Sequence, residues 1–165
     1  MIYSIAKLGI ENAPEWMILR YEGAKDFPIG FLVSEEEAAN LTLKRAQEIL
    51  AYGTMHGVFY DGKMIGFCGL YQENHKRTRH RAKIGPFFVT PKYHGSGAAK
   101  VLMNAVIKEA LSQNVEQLEL YVDTENFQAI RFYEKNGFVK KATHPDCIRI
   151  GALSRDDHFY CRRIV

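Results

Sequence analysis

The spacing of apolar and polar positions changes several times along this chain, and each change marks a predicted element. Ile2 to Lys7 predicts a short strand. Glu11 to Tyr21 shifts to a helical pattern, with Pro14 tolerable only in its first turn, where the missing N–H has no partner to lose. Asp26 to Gly30 holds a proline and a glycine and reads as a loop. Ser34-Glu35-Glu36-Glu37 fits a capping box, which predicts a second helix running to about Ala51 and ending near Gly53. Gly57–Tyr60 and Met64–Glu73 read as strands, and Asp61-Gly62 between them tolerates the positive φ of a tight hairpin. A basic stretch leads to a further strand, Arg81–Val89. Pro86 cannot donate to a ladder and Gly85 beside it adds freedom, so this strand is expected to be distorted.

In the second half, Leu102, Val106 and Ala110 recur every four residues within a long helix predicted over Ser96–Gln113. Gln117–Val122 alternates as a strand, with Leu118, Leu120 and Val122 on one side and Glu119 and Tyr121 on the other. A helix over Asn126–Asn136 stops at Gly137, a residue suited to the left-handed position after a helix. Final strands are predicted near Phe138–Thr143 and Asp157–Ile164, separated by an irregular segment, Pro145–Asp157, of a kind that often shapes a substrate site. The order β-α-α-β-β-β-α-β-α-β-β predicts an α/β (mixed α+β) architecture, a mixed sheet with helices on its faces.

Composition bounds this picture. The 165 residues favour one domain, 1–165. With 47% apolar and 25% charged residues the chain resembles an ordinary globular protein, able to bury roughly two-thirds of its unfolded surface without disulfide or metal. A net charge of +3 is too small to imply nucleic-acid binding, but it suits an anionic ligand. Three cysteines, Cys68, Cys147 and Cys161, make no disulfide framework and point to a reducing cytoplasm. The N-terminus lacks the charged and apolar regions of a signal peptide, and no apolar run approaches the ~20 residues that span a bilayer.

Two stretches carry the chemistry. Phe87-Phe88-Val89-Thr90-Pro91-Lys92-Tyr93-His94-Gly95-Ser96-Gly97-Ala98-Ala99 joins an apolar strand to a long helix through a loop of small residues. The first turn of a helix presents unpaired N–H groups and a positive dipole end, so it is a ready anion site. Gly95 and Gly97 would let a phosphate reach the backbone; equally, a glycine pair relaxes a strand-to-helix turn. A Rossmann fingerprint would need glycine where Lys100 stands, and no Walker motif is present. The second stretch, Leu118 to Phe138, couples a strand to a short helix. Asn126 and Tyr133 are seven residues apart, on one helix face and roughly 10 Å apart along its axis. They could line one extended ligand, or serve as a helix cap and a core tyrosine.

Together these motifs resemble the GNAT superfamily of N-acetyltransferases. The family's CoA loop begins with Gln or Arg, has Gly three residues later and Gly or Ala two residues after that, and follows a Val-x-Pro step. Here Val89-Thr90-Pro91 precedes His94 to Ala99, with His94 where Gln or Arg is usual. The family's later pattern is matched by Asn126, Ala129, Ile130, Tyr133, Gly137 and Phe138. The likeness runs from about residue 57 to the end, and the N-terminal part is compatible with it. It implies a GNAT-like acyl-CoA N-acyltransferase fold, a central mixed sheet of about seven strands with helices on both faces. It also implies direct acetyl transfer from acetyl-CoA to a primary amine through a tetrahedral intermediate, with no metal. Phe87, Phe88 and Val89 would meet the pantetheine arm and thioester. His94, Gly95, Ser96, Gly97, Ala98 and Ala99 would cradle the pyrophosphate. Asn126 would contact the pantetheine, and Tyr133 would protonate the departing thiolate. The acceptor would be a small-molecule or protein amine, and a homodimer is compatible.

This chain departs from the family at the base. Many relatives carry Glu in the strand Ala82–Val89, where Lys83 is the nearest matching position. Glu73, Glu119 or a water chain is left to take the amine proton, Glu73 first because it ends a neighbouring strand; a solvated strand-end carboxylate is its alternative role. A catalytically inert CoA-binding sensor is the rival reading. The basic run His75–Arg81 reads as a solvated hairpin rather than a nucleic-acid site, since no aromatics interleave it. His144, Cys147, His158 and Cys161 are zinc-type residues, but three-residue spacing in a strand points side chains to opposite faces. Trp16 and Tyr21 either line an acceptor pocket or fill core. Asp156 and Asp157 either meet a cationic amine or form a plain turn.

Overall fold

In the computed structural model, which covers residues 1–165, seven strands form one sheet in the order β1-β2-β3-β4-β5-β7-β6. They are β1 (Ser4–Lys7), β2 (Met55–Tyr60), β3 (Lys63–Gln72), β4 (Arg81–Val89), β5 (Gln117–Asp123), β6 (Val139–Ile150) and β7 (Leu153–Arg163). Every neighbouring pair is antiparallel except β4 and β5. Five helices cover the sheet: α1 (Ala13–Asp26), α2 (Glu35–Ala39), α3 (Leu43–Ala51), α4 (Ala98–Ser112) and α5 (Phe127–Lys135).

Two separate cores result, one per face. On one, α1 and α3 bury Trp16, Leu19, Ala46 and Leu50 against Met55, Met64, Phe67 and Phe88. On the other, Leu102, Met103, Val106 and Ala110 of α4 pack on Val58, Ile65, Leu118 and Leu120, with Tyr133 and Phe138 alongside. A strand covered on both sides reads as a continuous apolar run rather than an alternation. β3 does so, being buried from Met64 to Leu70.

The predicted sheet of about seven strands with helices on both faces is what the chain forms, and three local expectations change. The helix expected from Ser34 to Ala51 is two helices. Its Ser34–Glu37 capping box forms, with bonds of 3.1 and 2.8 Å, but Thr42 starts a second helix by accepting from the Arg45 N–H at 3.2 Å. The first helix runs on to Asp26, and Gly23 within it leaves room for the Phe31 ring to lie against the helix backbone. The segment Pro145–Asp157 is not irregular. It is the closing half of the β6–β7 hairpin, which turns at Gly151 and absorbs Pro145 in a register shift between His144 and Ile148. β6 is an edge strand with almost every side chain exposed, so it carries no buried alternation to read, and an edge is where proline is tolerated.

The distortion expected in β4 is real. Between Cys68 and Leu70 of β3 the paired residues of β4 step from Phe87 to Ile84, so β4 carries one extra residue around Gly85 and Pro86. Gly69 permits the close approach: a Cβ there would lie 2.5 Å from the Gly85 carbonyl oxygen and 2.5 Å from the Tyr71 ring. β4 pairs with β5 only through Arg81–Lys83, after which the two strands part. We expect Gly69→Ala to lower unfolding free energy by about 1–3 kcal/mol, as overpacking does, measured by urea denaturation.

Candidate active site

After β4 the chain makes a short turn, Pro91–Tyr93, and α4 begins at Ala98 with Gly97 before it and no side chain capping it. Gly95 and Gly97 have φ of 75° and 94°, a region open to glycine and strained for other residues. The amides of Gly95, Gly97, Ala99 and Lys100 donate to no protein acceptor. A Cβ at Gly95 or Gly97 would meet nothing within 4 Å. Four free N–H groups at the positive end of a 15-residue helix are the arrangement that suits an anion. His94 and Ser96 do not add amides to it, because their N–H groups bond to the Pro91 and Tyr93 carbonyls. The Ser96 hydroxyl turns inward and donates to Tyr93 O at 2.6 Å.

The His94 ring fastens the loop to its neighbours. Its Nε2 lies 2.7 Å from the Val89 carbonyl, which can only accept, so this nitrogen carries the proton; in the neutral ring Nδ1 then accepts from the Gln128 amide at 3.0 Å. The side chain thus ties the end of β4 to the start of α5.

A cleft of about 210 Å³ runs from this loop between β4 and α5. Phe87, Phe88, Val89, His94, Gly95, Ala99, Asn126 and Tyr133 all line it, whereas Ser96, Gly97 and Ala98 lie outside its walls. Phe87 and Phe88 point to opposite faces: Phe87 packs on Phe132 and Tyr133, Phe88 on Phe27, Phe31 and Phe67. Asn126 serves two ends, its Oδ1 capping α5 through the Ala129 N–H at 3.2 Å while its amide nitrogen faces Gly30. Tyr133 is 9% exposed. Burial pushes its phenol pKa up, and the nearby Cys68 adds to this, so the phenol keeps its proton across the neutral range.

A second, larger cavity of about 500 Å³ shares Gly30 and Phe31 with the first. The β4 bulge divides them: Lys83 to Pro86 face the second cavity, Phe87 to Val89 the first. Trp16 belongs to this cavity, but Tyr21 does not and bonds instead to Glu35 at 2.9 Å. The β6–β7 hairpin contributes Ile148 and Asp157. Asp157, weighed above as either an amine-binding or a turn residue, sits in β7 opposite Asp123 rather than in a turn, is 4% exposed, and has no partner for Oδ1. Burial first, then the Asp123 carboxylate, raise its pKa. Asp123 itself is held ionised by Arg155 through bonds of 2.7 and 2.8 Å. The sequence offers Asp157 together with Asp156 and cannot choose between them, because the burial of Asp157 comes from the β5–β7 register.

The two glutamates considered as bases are elsewhere. Glu73 follows β3, lines neither cavity, and lies 3.6 Å from the Lys83 ammonium. Its backbone pairs with Arg81, six residues or roughly 20 Å along β4 from Phe87. Glu119 is 2% exposed and takes both bonds of Arg81, at 2.9 and 3.0 Å, so the last cation of the basic run is a structural one. Burial raises the pKa of all three thiols, so none is an activated nucleophile. No three His, Cys, Asp or Glu side chains converge as a metal site, and no helix is long and apolar enough to cross a membrane.

Comparison with known proteins bears on the family and the fold. The pattern of the acetyltransferase (GNAT) family matches residues 12–138. An uncharacterised N-acetyltransferase of Mycobacterium bovis is 30% identical over 106 residues, which is 64% of this chain and 64% of that protein, so less than two thirds of the relative's length is matched. A GNAT-family acetyltransferase of Streptococcus pneumoniae superposes with a TM-score of 0.88 and 19% identity, over 99% of this chain and 100% of the other. The PaiA N-acetyltransferase of Thermoplasma acidophilum, solved in complex with coenzyme A, superposes at 0.75 with 21% identity over 99% of each chain. At these identities the two structures speak for the fold.

Two outcomes follow from the geometry. Gly97→Ala puts a methyl group beside the free amides and strains the turn. It should weaken coenzyme A binding about ten-fold or more in calorimetry, and unchanged affinity would count against a phosphate at this turn. Asp157 is more basic folded than unfolded, so its protonation favours folding. That contribution is complete below the ordinary carboxylate pKa and is lost as pH rises through the folded value. Asp157→Asn should therefore raise Tm at neutral pH, with the gain shrinking towards about pH 4 in a pH series of thermal melts.

Proposed function

Since the chain belongs to the GNAT acetyltransferase family, we propose that it transfers an acetyl group from acetyl-CoA to a primary amine held in the second cavity. The observation that carries this reading is the run of four free amides, Gly95, Gly97, Ala99 and Lys100, beside a cleft whose wall includes the Tyr133 phenol. Acetyl-CoA, when bound, supplies an acyl group already activated as a thioester. Those amides would hold its diphosphate, and the β4 edge left free beyond Lys83 would offer Phe87 to Val89 to its arm. Asn126, with its amide nitrogen facing across the cleft, would add one donor.

The chain's own groups then divide the proton traffic. Tyr133 holds a proton and would give it to the sulfur as the bond from acyl carbon to sulfur breaks, after the amine nitrogen has bonded to that carbon. Asp157 takes the proton that the amine gives up, either directly or through water. Solvent restores both groups. A carboxylate with raised pKa in a largely apolar cavity is a better base than an exposed one. No residue is acylated, in keeping with three thiols held protonated.

The reading is tested by acetyl-CoA consumption against a panel of amines. Tyr133→Phe should lower kcat by about 10²–10⁴-fold and leave the coenzyme A dissociation constant within about three-fold. An equally active variant would remove Tyr133 as the acid. Stabilisation by coenzyme A with no turnover of any amine would instead identify a CoA-binding sensor.

A further inference from the structure

Buried polar atoms without a partner are few in this chain, and most of them share one place. Of five such side-chain atoms, two belong to His56, and the other three are Trp16 Nε1, Arg20 Nη1 and Asp157 Oδ1, on residues that line the second cavity. A buried group left without its hydrogen bond is destabilising, so three around one space call for an occupant that meets them.

Their signs say what kind. Trp16 and Arg20 are one turn apart on α1, and the guanidinium carbon lies 5.6 Å from the centre of the indole ring. Both present only N–H groups. The guanidinium is half-buried; Glu37 acts on it only from a distance, and no protein side chain forms an ion pair with it. Asp157, from β7, presents only acceptors. Between these ends the wall is apolar, with Phe31, Met55 and Leu120 among its members. Lys83 adds a second cation, already opposite Glu73.

We propose that the acceptor is amphoteric: a primary amine with an apolar body that also bears a carboxylate, which seats on Arg20 and the Trp16 N–H while the amine faces Asp157. This rests on the acyl-transfer reading and narrows it. A polyamine would bring an ammonium to Arg20 and be repelled. A plain hydrophobic amine would leave the guanidinium dehydrated and unpaired. A charged hydrogen bond to a planar carboxylate is what guanidinium geometry favours.

The experiment compares matched pairs that differ by one carboxylate: phenylalanine with phenethylamine, tryptophan with tryptamine, and 6-aminohexanoate with pentylamine, at fixed acetyl-CoA. The last pair varies the distance between the two charges. The carboxylated member of at least one pair should show a kcat/KM about ten- to one-hundred-fold higher. Arg20→Gln should bring that ratio to within about three-fold, and Arg20→Lys should restore part of it. Binding of the N-acetylated products is measured alongside by calorimetry, so the comparison holds even if turnover is slow. Equal or lower kcat/KM for all three carboxylated members, or equal binding of both products in each pair, overturns the amphoteric acceptor and leaves the transferase intact. A ratio that survives Arg20→Gln also overturns it. Failure of coenzyme A to bind at all defeats the transferase reading separately, while the product-binding comparison still decides the acceptor chemistry.

Discussion

Three residues of parallel ladder, Arg81 to Lys83 against Gln117 to Glu119, hold β4 to β5, and beyond them the sheet opens. The Arg81 Nη1, shared between both carboxylate oxygens of buried Glu119, secures the closed end. The extra residue around Gly85 and Pro86 bends β4 away at the other. A flat, fully paired β4 would spend its backbone groups on β5. A bulged one leaves a length of strand with one free edge inside an otherwise continuous sheet. Both cavities border that length, one on each side of the bulge, so the distortion opens one strand to two separate compartments.

The rest of the architecture keeps this opening in shape. Each face of the sheet has its own core, and the aromatic rings of β4 contribute to both, Phe88 on one side and Phe87 on the other. His94 ties the carbonyl end of β4 to α5. Three of the buried groups are costly by ordinary standards of stability: an indole N–H, a guanidinium nitrogen and a carboxylate oxygen, all without a partner on residues around one cavity. Such violations concentrated in one region of an otherwise well-satisfied chain are the usual mark of a functional site.

How much of this could be read from the sequence depended on whether the determinant was local. The turn from Val89 to Ala99 was legible because glycine spacing and a helix start are properties of adjacent residues, and so was the Asn126 to Tyr133 helix. The bulge could be anticipated from Gly85 and Pro86 alone. What escaped depended on partners distant in the chain. Thr42 competes with the helix that Ser34 begins, which a capping box does not reveal. β6 has no buried side to betray it. Glu73 stood next to the right strand but at its far end, because sequence adjacency gives the neighbour and not the position along it. Asp157 draws its character from lying across from Asp123, and that register is set by the whole sheet.

Gly30 and Phe31 form a partition common to both cavities, carried on the short connection between α1 and α2 and anchored by the Phe31 ring against Gly23, Phe67 and Phe88. An occupant on either side that shifts or steadies this partition changes the compartment behind it. Thermodynamic linkage makes such an influence mutual: the factor by which one ligand alters the affinity of the other is the factor it receives in return. Any such coupling between the two compartments would pass through a single phenylalanine ring.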